Sequence, residues 1–371
     1  MNVQEIKKAP RPRYSGILVH PTSFPSPYGI GDLGDSAYAF IDFLYDAGQT
    51  LWQCLPLGPT GFGDSPYQAF SAFAGQPLLI SPDLLLKDGL LEKDDLADVP
   101  DFNDYSVEYG NVITYKTALL RKACAHFTAS EDKALHKAFN HFCRTEKDWL
   151  EDYALFTALK DTLGGKPWLE WPEALRLRKA DALTEKRREL SDEIRLQYFV
   201  QYEFDRQWKA LRSYANAKGG RIIGDVPIYV PLDSADVWAN PELFQLDESR
   251  HPEQVAGCPP DSFTADGQLW GNPIYDWKKM AQTHYFWWIQ RLTAAGKLYD
   301  VIRLDHFRGF ESYWSVPAGD TTARHGKWVT GPGMVFIRTI PQALPNLEFI
   351  AEDLGFITPE VRTLQQDSGY P

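Results

Sequence analysis

The sequence predicts an α/β fold built on parallel strands, and three observations carry that reading. First, GILVH (16–20) and LWQCLPL (51–57) are short apolar runs separated by a stretch of helical periodicity. Second, the same kind of run returns at RIIGDVPIYV (221–230), DVIRLDHF (300–307) and LEFIAEDLG (347–355). Third, the intervals are long enough for the crossover connections that parallel strands require. Five strands are expected, at 16–20, 51–57, 221–228, 300–305 and 348–353.

Taken in order, Phe40, Ile41, Leu44 and Ala47 recur at helical spacing after the first strand, and Gly48 suits the position that ends that helix. The loop before it contains GIGDLG (29–34). That matches a dinucleotide fingerprint, but eight residues with three prolines separate it from its strand, so a plain Gly-rich loop is expected. GPTGFGDSPYQAFSAFAGQPLLIS (58–81) reads as a long aromatic loop of the kind that carries function on a rigid scaffold. From 82 to 218 charge density rises and helical patterns dominate. Trp149, Tyr153, Phe156 and Leu159 lie three or four apart, and 178–218 reads as one long charged helix ending at Gly219–Gly220. Residues 255–277 read as a second long loop. The helix ahead of the 300–305 strand carries Trp288, Leu292 and Ala295, with Gly296 expected to stop it. Another loop, a helix near 332–343 and a last helix capped by Thr358 with Pro359 in its first turn complete the chain. The organisation expected is a barrel segment (1–81), an inserted mostly helical subdomain (82–218) and the barrel continued (219–371).

Composition narrows the function. The chain has 371 residues, 44% hydrophobic and 24% charged, with 38 Lys+Arg against 50 Asp+Glu and a formal net charge of −12. That balance argues against nucleic acid or an anionic membrane as a main partner. Aromatics reach 14%, which serves a large core or a platform for flat, weakly polar rings such as sugars. Cys54, Cys124, Cys143 and Cys258 are scattered without a CxxC pair and read as reduced, structural thiols. The N-terminal MNVQEIKKAPRPRY lacks the apolar run of a signal peptide, and no run of about 18 apolar residues occurs anywhere, so a cytoplasmic protein is expected.

The densest chemistry lies in DVIRLDHFRGFESYW (300–314). In a strand Arg303 and Asp305 share one face while Ile302 and Leu304 take the other. Opposite charges at the end of an apolar strand are costly unless paired or used, so a structural ion pair and a catalytic site both fit the spacing. A second carboxylate, Glu352, ends the next strand, with Asp353 beside it. In a parallel barrel successive strands are neighbours, which brings Asp305 and Glu352 to the same end. Glycosidic bond chemistry needs such a pair, one ionised group to attack or stabilise an oxocarbenium-like carbon and one protonated group to serve the leaving oxygen. Arg303 supplies the opposite charge an ionised Asp305 needs, and burial of Glu352 beside the apolar Ile350 and Ala351 suits a proton donor. His20 and His306 stand at strand ends as hydrogen-bonding groups or as donors to sugar hydroxyls. No HExxH or His/Cys cluster points to a metal, and no G-x-S-x-G or P-loop supports acyl or ATP-driven phosphoryl transfer. Neither a cofactor nor a metal is expected.

Six segments in order, GILVHPTSFPSPYGIGDLG, WQCLPLGPTGFGDSPYQAFSAFAGQPLLIS, GDVPIYV, PPDSFTADGQLWGNPIYDW, RLDHFRGF and AEDLGFITPEV, closely resemble the 4-α-glucanotransferase (amylomaltase, disproportionating enzyme) family. The likeness runs from about residue 14 to the end, and GGKPWLEWPEALR extends it through the middle. The resemblance implies an α-amylase-type (β/α)8 TIM barrel with inserted subdomains, acting on α-1,4-glucans with retention of configuration. By the RLDHFRG motif, Asp305 is the expected nucleophile, Arg303 its orienting partner and His306 a hydroxyl-binding neighbour. By AEDLG, Glu352 is the expected acid/base. Asp225 in GDVPIYV is implied as a supporting residue, and Ser65 and Tyr67 in DSPYQ as glucose-binding positions with Tyr67 the stacking aromatic. Asp261, Phe263, Gln268, Trp270 and Asn272 fall in the family's loop over the active site. An amylase-type hydrolase and a catalytically silent glucan-binding protein remain open on the residues alone.

The chain departs from that pattern in one respect. The family's third carboxylate sits in a Thr-His-Asp-Asn motif on a later strand, and no such motif occurs here. The expectation is a chain that carries about the first five barrel strands of a longer protein, inactive as written, with the longer protein active.

Overall fold

A computed structural model describes residues 13–371; the first twelve, including most of the stretch expected to carry no signal sequence, lie outside the described residues. The chain opens with β1 (Gly16–Leu18), α1 (Asp35–Asp46) and β2 (Leu51–Gln53). In α1, Ala37, Ile41 and Leu44 face the core, and Gly48, at φ +65°, takes the left-handed position that follows the helix. A helical stretch follows: α2 (Pro82–Lys87), α3 (Tyr109–Ala129), α4 (Lys133–Thr145), α5 (Lys147–Thr162), α6 (Glu173–Arg176), α7 (Ala180–Glu189) and α8 (Ser191–Ala217). Then come β3 (Arg221–Val226), α9 (Ala235–Ala239), β4 (Gln254–Cys258), β5 (Gln268–Pro273), α10 (Trp277–Gln282), α11 (Phe286–Leu298) and β6 (Val301–Leu304). The chain ends with β7 (Ser312–Pro317), β8 (Lys327–Thr330), α12 (Gly333–Ile337), α13 (Thr339–Ala343), β9 (Glu348–Ala351) and α14 (Pro359–Ser368).

β1, β2, β3, β6 and β9 form one parallel sheet in that order, so the five expected strands are neighbours in the expected sequence. Each is shorter than its apolar run, because the last residues of each run leave the ladder to enter the loop. Ile222, Ile302 and Leu304 are buried, as alternation requires of the face turned to the helices. β1 and β9 are the sheet's edges among the described residues.

Four expectations change. Residues 255–277 are not one loop: β4 and β5 form an antiparallel pair, and β4 joins β7, so that a second sheet runs β5-β4-β7-β8. The segment after 310 is likewise the β7–β8 hairpin, not a loop. The two hairpins meet through β4 and β7, whose partners lie far apart in sequence (Gln254 opposes Pro317), and such a pairing leaves no local period to read. The long helix over 178–218 is two helices meeting at Leu190, with a kink that lets α7 fold back onto α8. Finally, Gly296 does not end α11, which continues to Leu298. The glycine lets Leu347 pack closely there, since an added Cβ would stand 3.2 Å from that side chain.

The helical stretch and the parallel sheet share one hydrophobic core, which contains Trp52, Phe156, Trp208 and Trp288 together. The link is α8, which packs on β3 and α11, and its Trp208 Nε1 donates to the Leu298 carbonyl at 2.9 Å. It therefore serves as the crossover between β2 and β3. α8 also pins the 58–81 loop. Gln201 accepts from the Gly75 N–H at 2.7 Å and donates to the Gly75 carbonyl at 2.9 Å, and Gln207 accepts from the Ser81 N–H at 2.8 Å. Gly75 is required there because a Cβ would fall 1.9 Å from the Phe204 ring. This aromatic loop is held on a rigid helix, as a site-bearing loop needs.

Candidate active site

The carboxyl ends of β3, β6 and β9 converge on one guanidinium. Asp225 and Arg303 are direct cross-strand partners, and Asp225 Oδ1 accepts from Arg303 Nη1 at 2.6 Å. The same Nη1 donates to Asp305 Oδ1 at 3.0 Å, while Nη2 lies 3.2 Å from Glu352 Oε1. Arg303 thus ties three carboxylates from three strands. The second oxygen of Asp225 accepts from the Tyr67 hydroxyl at 2.8 Å, which brings the 58–81 loop onto the site. The second oxygen of Glu352 accepts from the backbone N–H of His306. His306 adopts φ +50°, an uncommon conformation for a residue with a Cβ, and it begins the short turn Phe307–Phe310.

These contacts divide the charge unequally. Burial works against the Arg303 cation, but Asp225, Glu352 and Asp305 outweigh it and hold the guanidinium well above its ordinary range. Burial and then the Asp305 charge raise the Asp225 carboxyl, against the opposing pull of Arg303. Glu352 is raised by burial and by Asp305, with the His306 N–H and Arg303 acting the other way. Burial and Asp225 raise the Tyr67 phenol, so it stays a donor. Burial first, then Arg308, lowers His306 to about 4, which makes it a neutral imidazole at neutral pH. A carboxylate with a raised pKa beside a second carboxylate, both on one guanidinium, can hold and return a proton next to an anionic group.

The loop residues separate into two sets. The Trp270 ring meets the His306 ring edge-on at 4.8 Å, and its Nε1 donates to Gln268 Oε1 at 3.0 Å. Asn272 is buried, and Trp270 also approaches Tyr229 at 6.4 Å. Asp261 spends Oδ1 on the N–H groups of Phe263 and Thr264, both at 2.8 Å, and so shapes its own turn. Phe263 stands 96% exposed at the tip. Ser65 accepts from the Tyr67 N–H at 3.3 Å and shapes the bend that presents the ring. His20 lies at the end of β1 with Nδ1 buried and unpaired, and burial lowers it to about 4. The motifs alone assign Arg308 no role. Its guanidinium lies 3.7 Å over the Trp328 ring and donates to the Phe356 carbonyl at 2.6 Å, locking the 305–310 turn to the loop after Glu352. Its place in the charged RLDHFRGF segment, three residues after Asp305, was the available signal.

No group of three or more His, Cys, Asp or Glu is placed to hold a metal ion among the described residues. The GIGDLG loop places Asp32 beside Lys116 at 3.5 Å and uses its Oδ1 to accept from the Gly34 N–H, so its polar groups serve the fold. No helix is long and apolar enough to cross a membrane among the described residues.

Comparison with known proteins gives the same direction. A family model described as 4-alpha-glucanotransferase matches residues 19–371. A 4-alpha-glucanotransferase of Synechocystis sp. is 49% identical over 97% of this chain and 72% of its own length. One from Clostridium butyricum is 47% identical over 95% of this chain and 72% of its own. Amylomaltase from Streptococcus agalactiae, solved in complex with acarbose, superimposes with a TM-score of 0.94 at 43% identity, covering 97% of this chain and 72% of that one. The α-amylase-type barrel expected from the motifs is thereby shown, and five of its parallel strands are those described above. The chain belongs to the 4-alpha-glucanotransferase family.

Proposed function

We propose that the chain moves an α-1,4-glucan segment from a donor to the 4-hydroxyl of an acceptor glucan or glucose by a retaining double displacement. The observation that carries this is the Arg303 guanidinium shared by Asp225, Asp305 and Glu352. Asp305 acts as nucleophile, with Arg303 holding its carboxylate towards the sugar. Glu352, raised by burial, first gives its proton to the leaving oxygen and then takes one from the acceptor hydroxyl. Asp225 fixes the opposite side of Arg303 and orients Tyr67. Tyr67 offers a stacking face, Ser65 shapes its bend, and the neutral His306 hydrogen-bonds sugar hydroxyls. Trp270, Gln268 and Asn272 form an aromatic and amide wall, with Asp261 and Phe263 at the exposed tip of the covering loop. Once the glycosyl group sits on Asp305, water and an acceptor compete for it. A wall that binds the acceptor and excludes water favours transfer. The partners are maltooligosaccharides and longer α-1,4-glucan chains.

The test is incubation of the full-length protein with maltotriose. A ladder of longer maltodextrins together with glucose is expected; net gain of reducing ends would instead establish hydrolysis. Asp305→Asn is expected to lower transfer by at least a thousandfold with the fold intact. Retention of activity in that variant would overturn the nucleophile assignment.

A further inference from the structure

We propose that a cleft on the outer wall of the barrel, between the first turn of α5 and α11, is a second carbohydrate site that binds glucosyl units of the same α-glucans. The proposal rests on the α-glucan reading above. The cleft has a volume of about 340 Å³, within the roughly 300–1,000 Å³ of small-ligand pockets. Its walls are aromatic. Trp149 and Phe73 stack at 6.3 Å with their planes 13° apart, Trp287 meets Phe73 edge-on at 5.9 Å, and Phe286 stands 60% exposed at the rim.

The polar groups around these rings suit a neutral polyol. The Trp149 Nε1 is already spent on Glu146 Oε2 at 2.9 Å, which leaves the indole its face to offer rather than its edge. Glu146 is neutralised by Lys297 at 2.7 Å and Asp152 by Arg178 at 2.7 Å, so neither provides a net charge for an ionic ligand. The Gln290 amide and the Asp148 carboxylate line the cleft, and among the described residues neither side chain has a hydrogen-bonding partner. An aromatic face with free donors and acceptors at its edge matches a pyranose ring, which has an apolar C–H face and equatorial hydroxyls.

The cleft also touches the catalytic loop. Phe73 and Ser71 belong to the 58–81 segment and line, on their other side, a small cavity of about 60 Å³ that reaches Tyr67 and Asp225. A glucan held in the cleft thus braces the loop that carries Tyr67, and a long substrate gains affinity from two attachment points.

The experiment measures maltoheptaose binding by calorimetry to the full-length protein carrying Asp305→Asn, which keeps the ligand intact. Adding Trp149→Ala is expected to remove one binding event from the isotherm. Adding Gln290→Ala, which breaks no contact of the fold, is expected to weaken that event severalfold. In the otherwise native enzyme, Trp149→Ala is expected to raise KM for amylose three- to tenfold while kcat/KM for maltotriose stays within twofold. An isotherm unchanged by both substitutions overturns the site, even if Trp149→Ala alters folding, because Gln290→Ala reports independently. Equal losses on maltotriose and amylose also overturn it. If Asp305→Asn leaves maltotriose transfer intact, the catalytic reading has failed instead, and the binding comparison still decides the second site.

Discussion

Arg303 and Asp225 face each other across the β3–β6 pairing and meet at 2.6 Å, although 78 residues separate them in the chain. Because that same guanidinium reaches Asp305 and Glu352, the site depends on a fork of donors rather than on a single positive charge. Arg303→Lys keeps the charge and loses the fork. We expect kcat/KM for maltotriose transfer to fall at least a hundredfold, with near-native circular dichroism. Wild-type kinetics in this variant would show that point charge alone suffices.

The raised Glu352 carboxyl sets the direction of the pH profile. As proton donor it must be protonated, so the alkaline limb of kcat/KM reports its loss of a proton. Arg303 holds Glu352 down against burial and the Asp305 charge. Residual activity of Arg303→Gln should therefore show an alkaline limb displaced to higher pH than the parent. A limb displaced to lower pH would assign it to another group.

Tyr67 has two functions that substitution can separate. Tyr67→Phe keeps the ring and removes the hydroxyl that donates to Asp225 at 2.8 Å. A hydrogen bond to a charged group contributes about 1.5–3 kcal/mol, so a ten- to hundredfold fall in kcat is expected with KM little changed. Tyr67→Ala should raise KM as well, through loss of the stacking face. Steady-state kinetics on maltotriose distinguish the two.

Asp236 offers a stability test away from the reaction. It is fully buried and raised to about 6 by that burial, while its Oδ2 accepts from the Ala72 N–H at 2.8 Å. A carboxyl raised on folding contributes stability that is complete below its unfolded value near 4 and is lost as pH rises through about 6. Asp236→Asn keeps an acceptor for Ala72 without a charge to desolvate. Its Tm should exceed the parent's by a few degrees at pH 7.5, with the gain shrinking at pH 4.5. A uniform loss at both pH values would contradict the buried-charge account.

The parallel strands, the helix that ends at Gly48 and the Thr358 cap could be read from residues alone, because each follows from local period and local backbone chemistry. The carboxylates Asp305 and Glu352 were also visible, since each closes an apolar run, and the motifs around them identify the family. Tertiary structure decided what those groups touch. Neither the Asp225–Arg303 register nor the His306 N–H on Glu352 has a local signature, since each joins strands distant in sequence. The same reason hid the β5-β4-β7-β8 sheet inside two apparent loops: its two local pairs, β4–β5 and β7–β8, join through β4–β7 only when the chain has folded back across some sixty residues. Alternation placed Arg303 beside Asp305, but only the packed sheet made that pair part of a bridge between three carboxylates.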